Sequence, residues 1–315
     1  MIHTVAYVNG WTLLRPQLAT NMEGTGKMIG VIGATGSTGR ALVAALKEKG
    51  AEFRCLVRDT AAAAEKLGNE VELVQADLAD AASLEAGLAG CDKVFLLSGH
   101  SPVMVEQQMN AVNAAKAAGV SHIVKLSGGS VITNEDSPAM IGRGHWQIEE
   151  AIKASVLDWT ILRPGFFMQN FLNMAEMIKG MGKVMMPVPA DVGLGMIDVR
   201  DTADVAAAVL TSDGHAGQTY ELSGPDVSPD EAISAIGAAI CKEVAFVQVP
   251  MEGAIGAMKE RGMPDWLIDH QSTLMGIAAA GDMGSFGNDL IEKLSGHAPR
   301  TLADFARDHA GAFGG

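Results

Sequence analysis

Positive charge is scarce in this chain: 23 lysines and arginines stand against 37 aspartates and glutamates, a net charge of −14. Phosphate backbones and anionic membranes bind basic surfaces, so the balance argues against nucleic-acid or membrane-surface functions. Long apolar runs are missing as well. No stretch offers about 18 uninterrupted apolar residues, and no transmembrane helix is expected. The three cysteines, Cys55, Cys91 and Cys241, lack metal-ligand spacing. They lead us to expect no metal and to expect reduced thiols in a cytoplasmic protein. Aromatic residues make up 5% of the chain, and only two of them are tyrosines.

What is present is concentrated near residue 30. Met28-Ile29-Gly30-Val31-Ile32 reads as a short buried strand that breaks into Gly33-Ala34-Thr35-Gly36-Ser37-Thr38-Gly39 and continues as a helix through Leu46. Gly33 permits the tight turn, Gly36 lets backbone approach a pyrophosphate, and Gly39 lets helix and strand pack closely. The free N–H groups and positive dipole end of that helix would hold the phosphates. A second strand, Phe53–Val57, ends on Arg58, where an acid would favour NAD by binding the ribose hydroxyls. A guanidinium instead grips a 2′-phosphate. NADP(H) is therefore the expected cofactor. The adjacent Asp59 could repel that phosphate and keeps NAD(H) as the alternative.

The 315 residues suffice for one α/β domain with a smaller lobe. Residues 1–27 have no clear period and are expected to be a poorly ordered extension, an upstream start, or an arm. Strands and helices alternate over 28–164, which implies a Rossmann-type, doubly wound parallel sheet. Ligands in such sheets gather beyond the carboxyl ends of the strands, so Gly33, Arg58, Asp77, Ser98, Ser127 and Pro164 should ring one crevice. Residues 165–315 are expected to form mainly a smaller α/β substrate lobe. Segments near 197–222 return to the Rossmann domain, including a helix capped by Asp201 or Thr202.

The scarcity of tyrosine now matters. Reductases of this fold often use Tyr-x-x-x-Lys, but the residues four beyond Tyr7 and Tyr220 are Trp11 and Gly224. In the expected place, His145 and Glu149 stand one helical turn apart and share a face. The histidine could donate a proton, with the carboxylate orienting it or raising its pKa. The alternative is an exposed ion pair on a solvated helix. Trp146 beside His145, and Phe166, Phe167, Met168 and Asn170 in an aromatic-rich segment, are the candidate walls of an apolar substrate pocket. Methionines from Met174 to Met186 would be adaptable lining or ordinary core.

Gly33-x-x-Gly36-x-x-Gly39, Leu56-Val57-Arg58, Ala76-Asp77-Leu78, His145-x-x-x-Glu149, Thr160-Ile161-Leu162-Arg163-Pro164 and Ile197-Asp198-Val199-Arg200-Asp201-Thr202-Ala203 together resemble the NmrA-like family. These are atypical short-chain dehydrogenase/reductases, and the resemblance spans about residues 28–310. Within the family it is to the branch of triphenylmethane reductases and type 2 NAD(P)H:quinone oxidoreductases. It implies an NADP-binding Rossmann domain with the substrate lying over the nicotinamide. Thr35, Ser37 and Thr38 would then sit in the pyrophosphate loop, Asp77 and Leu78 at the adenine, and Ser98 and Gly99 at the inner ribose. The expected activity is hydride transfer to a planar conjugated acceptor such as a quinone or dye. Such acceptors delocalise charge and need a strong general acid less than a ketone does. The alternatives are an NADP(H)-sensing regulator without turnover, and a reductase of an aromatic carbonyl or lignin-like compound.

Overall fold

The computed structural model describes residues 27–287 and 289–315, so the extension expected over 1–27 lies, but for Lys27, outside the described residues. Among the described residues twelve strands are formed: β1 (Ile29–Ile32), β2 (Phe53–Val57), β3 (Glu72–Gln75), β4 (Lys93–Leu96), β5 (His122–Leu126), β6 (Asp158–Pro164), β7 (Phe166–Phe167), β8 (Lys183–Met186), β9 (Leu194–Ile197), β10 (Gln218–Leu222), β11 (Asp226–Val227) and β12 (Ala245–Gln248). Every residue of β1, β4 and β5 is buried. Such continuous burial belongs to the centre of a parallel sheet with both faces covered. The order is β10-β6-β5-β4-β1-β2-β3, and all six pairings are parallel. The connection reverses direction between β1 and β4, where α/β sheets open a crevice at their carboxyl ends.

Three apolar cores hold the molecule. One face of the sheet packs under helices Ser37–Glu48 and Val199–Thr211, bringing Leu42, Leu46, Phe95, Val205 and Val209 together. The other face packs under helices Ala81–Leu88, Met104–Ala117 and Met140–Lys153, through Leu84, Val112, Ile123 and Ile148. The third core binds the segments after Gly165, with Phe171, Met196, Ile236 and Phe305 at its centre. There β7, β9 and β11 make one small sheet and β8 pairs with β12 in another. Helix Val199–Thr211 packs on helix Ser37–Glu48, and β10 is the edge strand of the large sheet.

That helix is not capped by Asp201 or Thr202. Asp198 is the N-cap and accepts from the Arg200 amide at 2.8 Å. Its buried carboxylate also takes bonds from the Arg200 guanidinium and Gln169, so the cap lies three residues before Asp201 and is more heavily used. Asp201 instead receives the Arg300 amide at 2.9 Å and its guanidinium, tying the C-terminal segment to the helix. Asp201, Asp204 and His297 bring ligand atoms close enough to surround an ion, but the Arg300 guanidinium reaches both carboxylates and supplies the positive charge there.

The cysteines at 55 and 91 are buried in the sheet region and Cys241 is exposed, all three as free thiols. Burial pushes the Cys55 thiol up to about 12 and raises that of Cys91. Among the described residues no helix is long and apolar enough to cross a membrane.

His122 begins β5 and its Nε2 lies 2.9 Å from Thr160 Oγ1. That hydroxyl already donates to the His215 carbonyl at 2.6 Å, so it must accept from Nε2–H. Burial, with the charge of Lys93 next, pushes its pKa down to about 4. An unfolded histidine takes its proton near 6.5. The neutral ring therefore contributes stability above pH 6.5 that is lost as pH falls toward 4. Thermal unfolding should show Tm declining progressively between pH 7 and 5. His122→Gln, which keeps a donor near the Nε2 position but cannot be protonated, should show a shallower decline. An unchanged slope would remove His122 from the acid response.

Candidate active site

The carboxyl ends of β1 to β5 open into one cleft of about 630 Å³. At one end the chain turns sharply from β1. Gly33 sits at φ +87°, and a Cβ there would lie 2.5 Å from the Leu97 carbonyl oxygen. A Cβ on Gly39 would run into the Gly33 carbonyl, which enforces the close helix–strand approach expected of that position. Gly36 is the N-cap of helix Ser37–Glu48, and neither a side-chain cap nor a first-turn acid fills its N-terminus. The leading N–H groups are thus left to satisfy oxygen atoms of a ligand. Thr35, Gly36, Ser37 and Thr38 line the cleft with Gly33.

Arg58 lines the cleft at the end of β2. Among the described residues its guanidinium has no hydrogen bond or ion pair; only its carbonyl is engaged, by Gln75. Asp59 is engaged by its own helix. It caps helix Thr60–Leu67, accepting from the Ala62 amide at 3.0 Å. Leu56, Ala76, Leu78 and Leu84 form an apolar slot beside Asp77, whose carboxylate closes a turn onto the Ala79 amide at 2.9 Å. Ser98 Oγ accepts from Gln108 at 2.8 Å. The Ser101 hydroxyl lines the cleft, buried and, among the described residues, with no partner. A gap with uncapped amides, a free guanidinium, an apolar slot and an orphaned hydroxyl fits the phosphates, base and sugars of a dinucleotide.

At the other end of the cleft, helix Met140–Lys153 presents His145 beside Ser127 and Phe167. The exposed-pair alternative fails: His145 is 5% and Glu149 0% exposed. Nor does Glu149 hold His145. Its Oε1 accepts from Ser127 Oγ at 2.6 Å and Arg163 Nε at 3.0 Å, and its Oε2 from Arg163 Nη2 at 2.5 Å. A bidentate arginine is the stronger competitor for a carboxylate than a neutral imidazole. The partner of His145 is the wholly buried Lys125, whose Nζ lies 3.2 Å from Nδ1. The His145 pKa is accordingly not raised. Burial first, then the charge of Lys125, lowers it well below the ordinary value. His100 stacks edge-on against His145 with ring centroids 5.8 Å apart, and against His270 at 5.5 Å.

Several expected residues lie elsewhere. Adjacent residues of a strand face opposite ways, so only Phe167 reaches the cleft. Phe166 packs into the third core, edge-on to Phe171 at 6.0 Å. Met168 is buried in that core, while Asn170 is half-buried, and neither lines the cleft. Trp146 is about 100° around the helix from His145 and is also outside the lining, as is Pro164, which pairs with Leu222 at the end of β6. Gly39 acts behind the turn rather than at its surface. His100, Lys125 and His270 were not anticipated. Lys125 alone left a mark in the sequence, as one charge within the apolar run Ile123–Leu126.

Comparison with known proteins agrees with this architecture. A 288-residue alignment to an NAD(P)H azoreductase of Xenophilus azovorans is 38% identical and covers 91% of this chain and 99% of the relative. An NADPH-dependent quinone oxidoreductase of Escherichia coli, solved with NADPH, superposes with a TM-score of 0.79 at 28% identity, over 89% of this chain and 99% of that one. A Citrobacter triphenylmethane reductase solved with NADP(H) gives 0.76 at 25% identity, over 90% and 99%. The model of the NmrA-like family matches residues 25–300, and the chain belongs to that family.

Proposed function

We propose that this protein is an NAD(P)H-dependent oxidoreductase that reduces a planar conjugated acceptor, a quinone or an azo or related dye, with NADP(H) preferred and NAD(H) accepted less well. The observation that carries the reading is the single cleft that begins at the uncapped Gly36–Thr38 turn, passes the unpaired Arg58 guanidinium and ends at His145 and Phe167. Bound cofactor would supply the hydride from its nicotinamide ring. The named activities of the azoreductase and quinone oxidoreductase relatives support the acceptor class.

The chain's own residues do the remaining work. The Gly33–Thr38 backbone holds the pyrophosphate, and Arg58 reads the 2′-phosphate. The slot around Leu78 takes the adenine, with Asp77 beside it, and Ser98, Gly99 and Ser101 face the sugars. Ser127, His145 and Phe167 surround the place where acceptor and nicotinamide meet, with the apolar lobe after Gly165 shielding it from water. A cytoplasmic location, a small-molecule partner, and no nucleic-acid or membrane partner complete the proposal.

Replacing Arg58 by Ala should weaken NADPH binding about 10- to 100-fold, the worth of roughly 1.5–3 kcal/mol for a hydrogen bond to a charged group, while NADH binding changes little. Titration of cofactor fluorescence with both dinucleotides checks this, and equal losses would show that Arg58 does not read the 2′-phosphate. Phe167→Ala should raise KM for a quinone several-fold and leave the NADPH Kd unchanged, because only the acceptor loses its wall. A steady-state KM that stays put would move the acceptor elsewhere.

A further inference from the structure

Among the described residues Lys125 is the one fully buried lysine whose ammonium faces a cleft residue. Its Nζ donates to the Leu126 carbonyl at 2.8 Å and meets His145 Nδ1 at 3.2 Å. An ammonium has only protons to give. Nδ1 must therefore accept, and the single proton of the neutral ring sits on Nε2. Among the described residues Nε2 has no hydrogen-bond partner, and His145 lines the cleft. The surroundings keep the ring neutral. Arg163 and the rings of His100 and His270 face it from three other elements, and Glu149 is occupied by Ser127 and Arg163. A solitary neutral imidazole is a poor acid. One with an ammonium behind it can pass a proton forward and be refilled.

We propose that Lys125 is a positioning residue acting through His145: it locks the imidazole as the Nε2–H tautomer and returns a proton to Nδ1 when the Nε2 proton leaves. The proposal rests on the reductase reading above. Hydride addition turns a quinone into a hydroquinone monoanion. Its oxygen takes the Nε2 proton, so that an N–H bond breaks and an O–H bond forms. Nδ1 then takes a proton from the Lys125 ammonium, leaving an amine. One hydride and one proton have been added, which is the hydroquinone. A water proton entering at Nε2 sends the Nδ1 proton back to Lys125 and restores the pair. A cationic triphenylmethane dye becomes neutral on accepting a hydride at carbon and needs no proton.

Burial brings the Lys125 ammonium down to about 7, against the opposing pull of the Glu149 carboxylate. It is charged below that value and an amine above it. Quinone reduction should therefore slow as pH rises through about 7, whereas reduction of a cationic dye should be level over the same range.

The test uses the full chain labelled with ¹⁵N-histidine, and kinetics with NADPH. In the wild type without cofactor, the His145 nitrogen shifts should report Nε2–H and change near pH 7, as Lys125 loses its proton. Lys125→Met should mix the tautomers, cost quinone turnover about tenfold or more, less than the roughly 10²- to 10⁴-fold worth of a positioned acid itself because His145 remains, and abolish its pH limb. Dye turnover and NADPH Kd should stay within twofold, which also reports folding. A His145 tautomer insensitive to pH in the wild type and to the substitution overturns the proposal. So does an equal loss on both acceptors with the pH limb retained. Wild-type protein that reduces neither acceptor would sink the reductase reading, while the nitrogen shifts still decide the positioning role.

Discussion

One buried carboxylate sets the geometry of the cleft floor. Glu149 is fully enclosed, and an enclosed charge is tolerable only when every lone pair finds a donor. Here Ser127 brings the end of β5, Arg163 brings β6, and Lys153 adds its charge 3.5 Å away from the same helix. Arg163 passes the constraint on through Nη1 to Glu221 of β10, 3.1 Å away. Three strands and one helix thus meet at a single ion-paired knot. His145 lies one turn earlier on that helix and on the same face, so fixing Glu149 fixes where the imidazole is presented.

The opposite end of the cleft is organised by restraint rather than by bonding. Asp59, Asp80 and Asp198 each cap a helix with their own carboxylates, but the helix that faces the cleft has no such cap. The cations follow the same division. Lys47, Arg54, Arg200 and Arg300 are paired with neighbouring acids, while among the described residues the Arg58 guanidinium has no such partner. A chain of net charge −14 repels an anion at long range, although salt screens that repulsion beyond about 10 Å. An attractive pocket is still available because its few positive groups are not neutralised from within.

The nucleotide half of the fold was legible because each of its steps depends on neighbours in sequence. The turn at Gly33, the strand ending on Arg58 and the alternation up to Arg163 all obey local geometry, and the sheet follows from them. The acceptor half was legible only in outline. That Phe166 turns away while Phe167 faces the cleft depends on the register of β7 against β9, which no local pattern fixes. The His145–Glu149 spacing correctly put both on one face, but spacing is silent about competition. Arg163, from a different element, takes the carboxylate, and Lys125, 20 residues upstream, takes the imidazole. His270 arrives from a helix more than a hundred residues further on, with Nδ1 buried and, among the described residues, unpaired.

The state of the thiols has a meaning for the proposed reduction of quinones. Quinones are electrophiles that alkylate thiolates, and only the thiolate is the nucleophile. Cys55 and Cys91, the cysteines in the half that holds the cleft, are enclosed by apolar side chains and held protonated by that enclosure. Cys241 is reachable by solvent but sits where helix Pro229–Ala239 ends in the smaller lobe, away from the cleft lining. The two thiols in the half that holds the cleft are thereby kept from covalent capture by a quinone, and the burial that packs the sheet doubles as their chemical protection.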